Sequence, residues 1–111
     1  MMKTEDFEKL CIEFEEKEAE LRALKGKEYA TDDVLSAIYK ISLFTGIPAS
    51  KVCMVLLLKH IQGLSKAVSE NNVKSWCWEA NGVEGLKQRI ADARNYLLLL
   101  AAYLEDSSID K

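Results

Sequence analysis

The chain has 111 residues, a length typical of one ordinary domain, and 49% of them are hydrophobic. This composition excludes an intrinsically disordered chain. The net charge of -3 says little by itself, but residues 1–20 carry eight acids and three lysines, which excludes a basic nucleic-acid-binding arm there. With one proline and five glycines, the chain favours helices over short strands and turns.

Neither the N-terminal stretch MMKTEDFEKL nor the apolar runs predict a membrane protein. The stretch lacks the apolar segment of a signal peptide. The longest apolar runs, Val52–Leu58 and Tyr96–Leu104, fall short of the roughly 18–20 residues that a membrane span needs. We therefore expect a cytoplasmic protein with no membrane partner. The widely spaced cysteines and the single histidine predict no zinc site.

Four segments carry apolar residues at helical spacing, at about 5–24, 32–45, 48–69 and 83–106. Gly26 and Gly46 follow the first two segments and predict where those helices end, while Pro48 suits the first turn of the third. In the third segment, the small residues Gly63 and Ala67 predict a close approach by another helix. Residues 70–82, ENNVKSWCWEANG, show no helical period and predict a loop.

Together these elements predict a single all-α domain over residues 1–111, with frayed ends at 1–3 and 107–111. The expected architecture is a four-helix antiparallel bundle with one long loop before the last helix. Trp76 and Trp78 lie in that loop, where they either fold back onto the bundle or form an interaction surface.

The last helix is predicted to pack on two sides, because two lines of residues run along it at helical spacing. The first line is apolar throughout and consists of Val83, Leu86, Ile90, Ala93, Leu97, Leu100 and Leu104. The second line is polar in its first half and consists of Gly85, Arg89, Asp92, Tyr96, Leu99 and Tyr103. Surplus apolar surface predicts a homodimer whose interface includes Leu98, Leu99 and Tyr103.

The polar half of the second line has two interpretations. In the structural interpretation, Arg89 and Asp92, three residues apart, pair along the helix or, if they are buried between helices, form structural pairs across to a neighbouring helix. Alternatively, Arg89 presents its fork of donors to an anionic ligand such as phosphate, with Asn95 and Tyr96 nearby to orient it. His60, on the edge of an apolar stripe, is either a hydrogen-bonded core residue or a donor to the same anion.

Two further stretches contain candidate ligand-binding residues. In KGKEYATDD, Lys25 and Lys27 flank Gly26 ahead of a predicted helix N-terminus, which is a candidate anion site. In EFEEKEAE, Glu15 and Glu18 are one helical turn apart and would need Asp92 to complete a magnesium site. No acid precedes Asp92 at the required spacing, so we expect no metal or other cofactor, with magnesium kept as an alternative.

Three stretches, KGKEYATDD, LLLKH and EGLKQRIADARNYLLLL, resemble in order and separation a family of small phage and prophage proteins. That family is the nucleotide-modification-associated domain, type one, and the resemblance covers roughly residues 25–100. Its Asn-Phe pair in the second helix is replaced here by SAIYKI. The matched motif positions are Lys25, Gly26, Glu28, Tyr29, Lys59, His60, Arg89, Asp92, Asn95 and Tyr96.

The resemblance implies a phage-type helical protein of the bacterial host cell that is associated with nucleotides or modified bases. With no catalytic constellation in the sequence, binding of an anionic nucleotide-like ligand is the leading hypothesis. The alternatives are a magnesium-dependent all-α nucleotide pyrophosphohydrolase and an interaction factor that inhibits a host defence or replication protein.

Overall fold

A computed structural model describes residues 1–29, 33–70 and 76–109, with the side chains of all of these except 25–29 and 108–109. The described part is mostly helical, as predicted, with four helices and one short hairpin. The chain divides into two compact units, Met1–Asp32 and Asp33–Lys111, where the sequence predicts one domain. The antiparallel bundle of all four helices stays a prediction.

Helix α1, Thr4–Tyr29, makes up most of the first unit. It starts where the sequence predicts, since the carbonyl of Lys3 accepts the N–H groups of Asp6 and Phe7 at 3.1 and 3.0 Å. The predicted end at Gly26 is wrong, because the helix continues to Tyr29. A glycine inside a helix costs only about 1 kcal/mol, and the lysines and glutamate around it are good helix formers.

Helix α2, Ser36–Thr45, begins four residues later than predicted. A turn precedes it, in which Asp33 accepts the N–H groups of Leu35 (through Oδ1, 2.9 Å) and Ser36 (through its carbonyl, 3.1 Å). Its predicted end is confirmed: Gly46 adopts a left-handed conformation with φ 75° and donates its N–H to the carbonyl of Ser42 at 2.8 Å.

Helix α3, Ala49–Ser69, begins one residue later than predicted, with Pro48 directly before it and not in its first turn. Among the described residues it is the one helix long and apolar enough to cross a membrane, judged by length and composition alone, with 17% of that stretch buried inside the protein. The contiguous apolar runs in the sequence had not indicated this, because the lysines at positions 51, 59 and 66 interrupt them.

A two-stranded antiparallel hairpin, β1 (Glu79–Ala80) and β2 (Val83–Glu84), replaces part of the predicted loop. Its turn places Asn81 at φ 53° and Gly82 at φ 77°. Two consecutive positive φ angles match the type I′ turn, for which Asn-Gly is the preferred pair. The last helix consequently begins at Leu86 rather than Val83. Residues 71–75 of the predicted loop lie outside the described residues.

Helix α4, Leu86–Ile109, continues through positions 107–109, which the sequence predicted to be frayed; residues 110–111 lie outside the described residues. The core of the second unit is built from buried residues of the α2–α3 region: Leu35, Ile38, Ala49, Val52 and Cys53. Partly buried residues that pack against it from α4 are Leu99, Leu100, Ala102 and Tyr103.

The second line of α4 therefore supplies core contacts in its C-terminal half. Tyr103 lies 6.4 Å from Tyr39 between ring centroids, in a tilted pair. On the first line, by contrast, Leu97 and Leu104 are 51% and 57% exposed. Leu100 of the first line packs against the same core, so both lines of α4 contribute core contacts in the C-terminal half of the helix.

Candidate functional site

Helices α3 and α4 run in opposite directions along the polar half of the second line. His60 of α3 stacks on Tyr96 of α4, with ring centroids 5.2 Å apart and an interplanar angle of 25°. One turn later on α3, Gly63 lies beside Arg89, which is two turns earlier on α4. Both His60 and Tyr96 are half-buried. The sequence prediction that another helix approaches α3 closely at Gly63 and Ala67 stays a prediction, since the contact shown at Gly63 is with the end of the long Arg89 side chain.

Gly63 provides the space that the Arg89 guanidinium occupies. A Cβ atom at position 63 would lie 2.5 Å from Nη1 and 3.8 Å from Cζ of Arg89. The side chain of Arg89 is nevertheless exposed overall. The end of the Arg89 side chain thus lies next to Gly63 of α3. Because a guanidinium carries five N–H donors, Arg89 can still bind an anion from solvent in this position.

Asp92 is held by Gln88, one turn earlier on α4. The Gln88 Nε2 donates to Asp92 Oδ1 at 3.1 Å, and both residues are half-buried. In the described structure the side-chain hydrogen-bond partner of Asp92 is thus the Gln88 amide. Pairing of Asp92 with Arg89 along the helix is not observed there. We call the set formed by His60, Gly63, Gln88, Arg89, Asp92 and Tyr96 the α3–α4 polar face.

The other predicted ligand residues are located mainly by the helix to which they belong. Asn95 lies on α4 and is half-buried. Lys25, Gly26, Glu28 and Tyr29 belong to the last turns of α1, and their side chains lie outside the described residues.

Residues 76–78, which we call the tryptophan segment, cap the beginning of α4. The carbonyl of Trp78 accepts the N–H of Gly85 at 2.8 Å, and the carbonyl of Cys77 accepts the N–H of Lys87 at 3.1 Å. Gly85 is buried, and a Cβ there would collide with the Cys77 carbonyl. The Lys87 ammonium lies 5.3 Å from the ring centroid of Trp76. These contacts anchor the segment to α4 and satisfy backbone groups that a helix start leaves open.

The predicted interface residues divide into two groups. Leu98, Trp76 and Trp78 lie on the surface or near it, with Leu98 54% and Trp76 47% exposed and Trp78 half-buried. Leu99 and Tyr103 pack instead against the core of their own chain. The homodimer stays a prediction, and its surface on α4 would depend on Leu98 rather than on those two residues.

The residues that the structure describes contain no carboxylate cluster that would support the magnesium alternative. Glu15 is exposed and Glu18 is 6% exposed, both on α1, whereas Asp92 belongs to the other compact unit. Among the residues that the structure describes, no three His, Cys, Asp or Glu side chains are grouped so that they could hold a metal ion.

Elsewhere in the described part of the chain, the side chains of Cys53 and Tyr39 are perturbed by their surroundings. Burial raises the pKa of the Cys53 thiol above its ordinary value of 9.0. Burial and the neighbouring Asp106 carboxylate raise the pKa of Tyr39 above 10.0. The Tyr39 hydroxyl donates to Asp106 Oδ2 at 3.5 Å. Both groups are part of the α2–α3–α4 packing and not of the α3–α4 polar face.

Sequence reasoning missed Gln88 as the partner of Asp92, although the two are separated by the i,i+4 spacing that brings helical side chains together. It also missed that the guanidinium of Arg89 occupies the space next to Gly63. No protein-family model, curated protein or solved structure matches this chain.

Proposed function

We propose that the protein binds an anionic, nucleotide-like ligand on the α3–α4 polar face and acts as a binding protein. The observation that carries this proposal is the stacked pair of His60 and Tyr96, with the Arg89 guanidinium next to Gly63, one turn further along α3. Aromatic side chains stack on nucleobases with about 1–3 kcal/mol per base. A guanidinium matches the oxygens of a phosphate with paired donors.

The spacing of these groups supports a mononucleotide. His60 and Gly63 are three residues apart on α3, a rise of about 4.5 Å. Because the Arg89 guanidinium lies against Gly63, the cation is about one helical turn from the aromatic pair. A nucleotide whose base extends the stack would direct its phosphate toward that cation. The stretches that resemble small phage proteins associated with nucleotides include His60, Arg89 and Tyr96 of this face.

Calorimetric titration with the four common nucleoside 5′-monophosphates and with inorganic phosphate tests the proposal. Arg89→Met keeps the length of the side chain and removes its charge, so it should weaken nucleotide binding by about tenfold, equal to about 1.4 kcal/mol. Arg94→Met is the matched control, because Arg94 is exposed on the same helix about 140° away from Arg89.

The expected result is a loss of affinity in Arg89→Met alone. An absence of binding for every nucleotide, or equal losses in the two arginine variants, would contradict the proposal. Circular dichroism of each variant verifies that the helices are retained.

A further inference from the structure

Along α4, the α3–α4 polar face presents a cation, a carboxylate and an aromatic ring in that order. Asp92 follows Arg89 by three residues and precedes Tyr96 by four, which gives rises of about 4.5 and 6 Å within an arc of about 60°. A 5′-mononucleotide has a matching order, because its sugar joins the phosphate to the base. With the phosphate at Arg89 and the base on the ring of Tyr96, Asp92 faces the sugar.

The carboxylate of Asp92 is held in place and still open to a ligand. Gln88 Nε2 donates to Asp92 Oδ1 at 3.1 Å, which fixes the orientation of the carboxylate, and both residues are half-buried. Two carboxylate oxygens offer about four acceptor sites and no donor, and this bond uses one of the sites. A part of the ligand that lies against Asp92 must therefore supply hydrogen-bond donors.

We propose, resting on the nucleotide-binding function above, that Asp92 accepts hydrogen bonds from the 2′- and 3′-hydroxyl groups of a ribose, so that the ligand is a ribonucleotide rather than a deoxyribonucleotide. The two hydroxyls lie on adjacent carbons, on the same side of the sugar ring, and can both donate to one carboxylate. Acidic side chains bind the ribose 2′-hydroxyl in this way in dinucleotide-binding α/β folds. The phosphate is repelled by Asp92 and attracted by Arg89, which sets the direction of the nucleotide.

Calorimetric titration of the intact protein with adenosine 5′-monophosphate and its 2′-deoxy and 2′,3′-dideoxy analogues tests the sugar contact. Loss of the 2′-hydroxyl removes one hydrogen bond to a charged acceptor, so the 2′-deoxy analogue should bind about tenfold more weakly. The dideoxy analogue should bind more weakly again. The guanine and cytosine series should show a similar ratio between ribose and deoxyribose, because the sugar is the same in each.

The variant Asp92→Asn assigns the preference to this side chain. Asparagine keeps the size of the residue and an acceptor for Gln88, but it lacks the charge and one of the two acceptor oxygens. The tenfold ratio between the ribonucleotide and its 2′-deoxy analogue should therefore fall to about twofold or less. The readout is this ratio, because a general change of charge or stability alters the affinity of both nucleotides alike. Glu105→Gln, an exposed position on the same helix with the same change of charge, is the control and should keep the ratio.

The outcomes separate the sugar contact from nucleotide binding itself. A ribose preference that is lost in Asp92→Asn and kept in Glu105→Gln supports the inference. Equal affinities of the unaltered protein for ribose and deoxyribose nucleotides, or a ribose preference that Asp92→Asn retains, would overturn it while the proposed nucleotide binding stands. If no nucleotide binds the unaltered protein, the proposed function and this inference fail together.

Discussion

The variant Gly63→Ala separates a structural role of the Arg89 contact from a role in binding. An added Cβ would lie 2.5 Å from Arg89 Nη1, whereas nonbonded heavy atoms settle at about 3.5–4.0 Å, so the guanidinium must move by about 1 Å or more. The atom that moves is the far end of an exposed side chain, so its displacement is cheap. The helix itself gains, since alanine is favoured over glycine by about 0.8–1.0 kcal/mol in a helix interior.

We therefore expect Gly63→Ala to raise the free energy of unfolding by about 0.5–1 kcal/mol and to weaken nucleotide binding by about fivefold, or about 1 kcal/mol. Urea unfolding followed by circular dichroism measures the first quantity and calorimetry the second. Ser65→Ala, an exposed substitution on the same helix, serves as the control and should leave binding unchanged. Destabilisation of Gly63→Ala by more than about 1 kcal/mol would show that the contact is structural packing. Unchanged affinity would show that the ligand does not use Arg89 in this position.

Three further predictions concern the start of α4, the hairpin turn and the Tyr39–Asp106 contact. Gly85→Ala should destabilise the protein by more than about 2 kcal/mol in urea unfolding, because the new Cβ meets the Cys77 backbone carbonyl. A neutral result would contradict the close packing of the tryptophan segment on α4. Asn81→Val should cost about 1–2 kcal/mol at its positive φ, whereas Asn81→Gly should be tolerated; equal effects would argue against the type I′ turn. Unfolded Tyr39 releases its proton near pH 10.0, while folded Tyr39 holds it to higher pH, so stability should fall as pH rises through this window. Tyr39→Phe should flatten that decline, and an unchanged alkaline profile would exclude Tyr39 as its source.

The helical architecture was largely predictable because apolar spacing reports helices strongly. The end of α2 at Gly46 was placed correctly and the start of α3 to within one residue of Pro48, since both residues act locally through their own backbone angles. Gly26 failed as a stop because glycine permits a helix end without requiring one. The hairpin was missed although Asn81-Gly82 is the strongest short hairpin signal, because its strands are only two residues long and show no alternation.

The candidate site was predictable as a set of positions but not as an arrangement. The second line of α4 singled out Arg89, Asp92 and Tyr96 from spacing alone. Which residues of α3 face them depends on the register between two helices, and that register is set by packing elsewhere in the second unit. The pairing of His60 with Tyr96 and of Gly63 with Arg89 therefore required the structure.

A double-mutant cycle links that register to function. If Gly63 acts on the ligand only by giving Arg89 its place, Gly63→Ala should lower affinity in the native background and have no effect in Arg89→Ala, where the cation is already absent. Its effect on stability should remain in both backgrounds, because the helix propensity of position 63 does not depend on Arg89. Additive losses of affinity would mean that the ligand contacts α3 at Gly63 directly. The glycine would then be part of the binding surface itself, and the polar half of α4 would share the ligand with the α3 backbone.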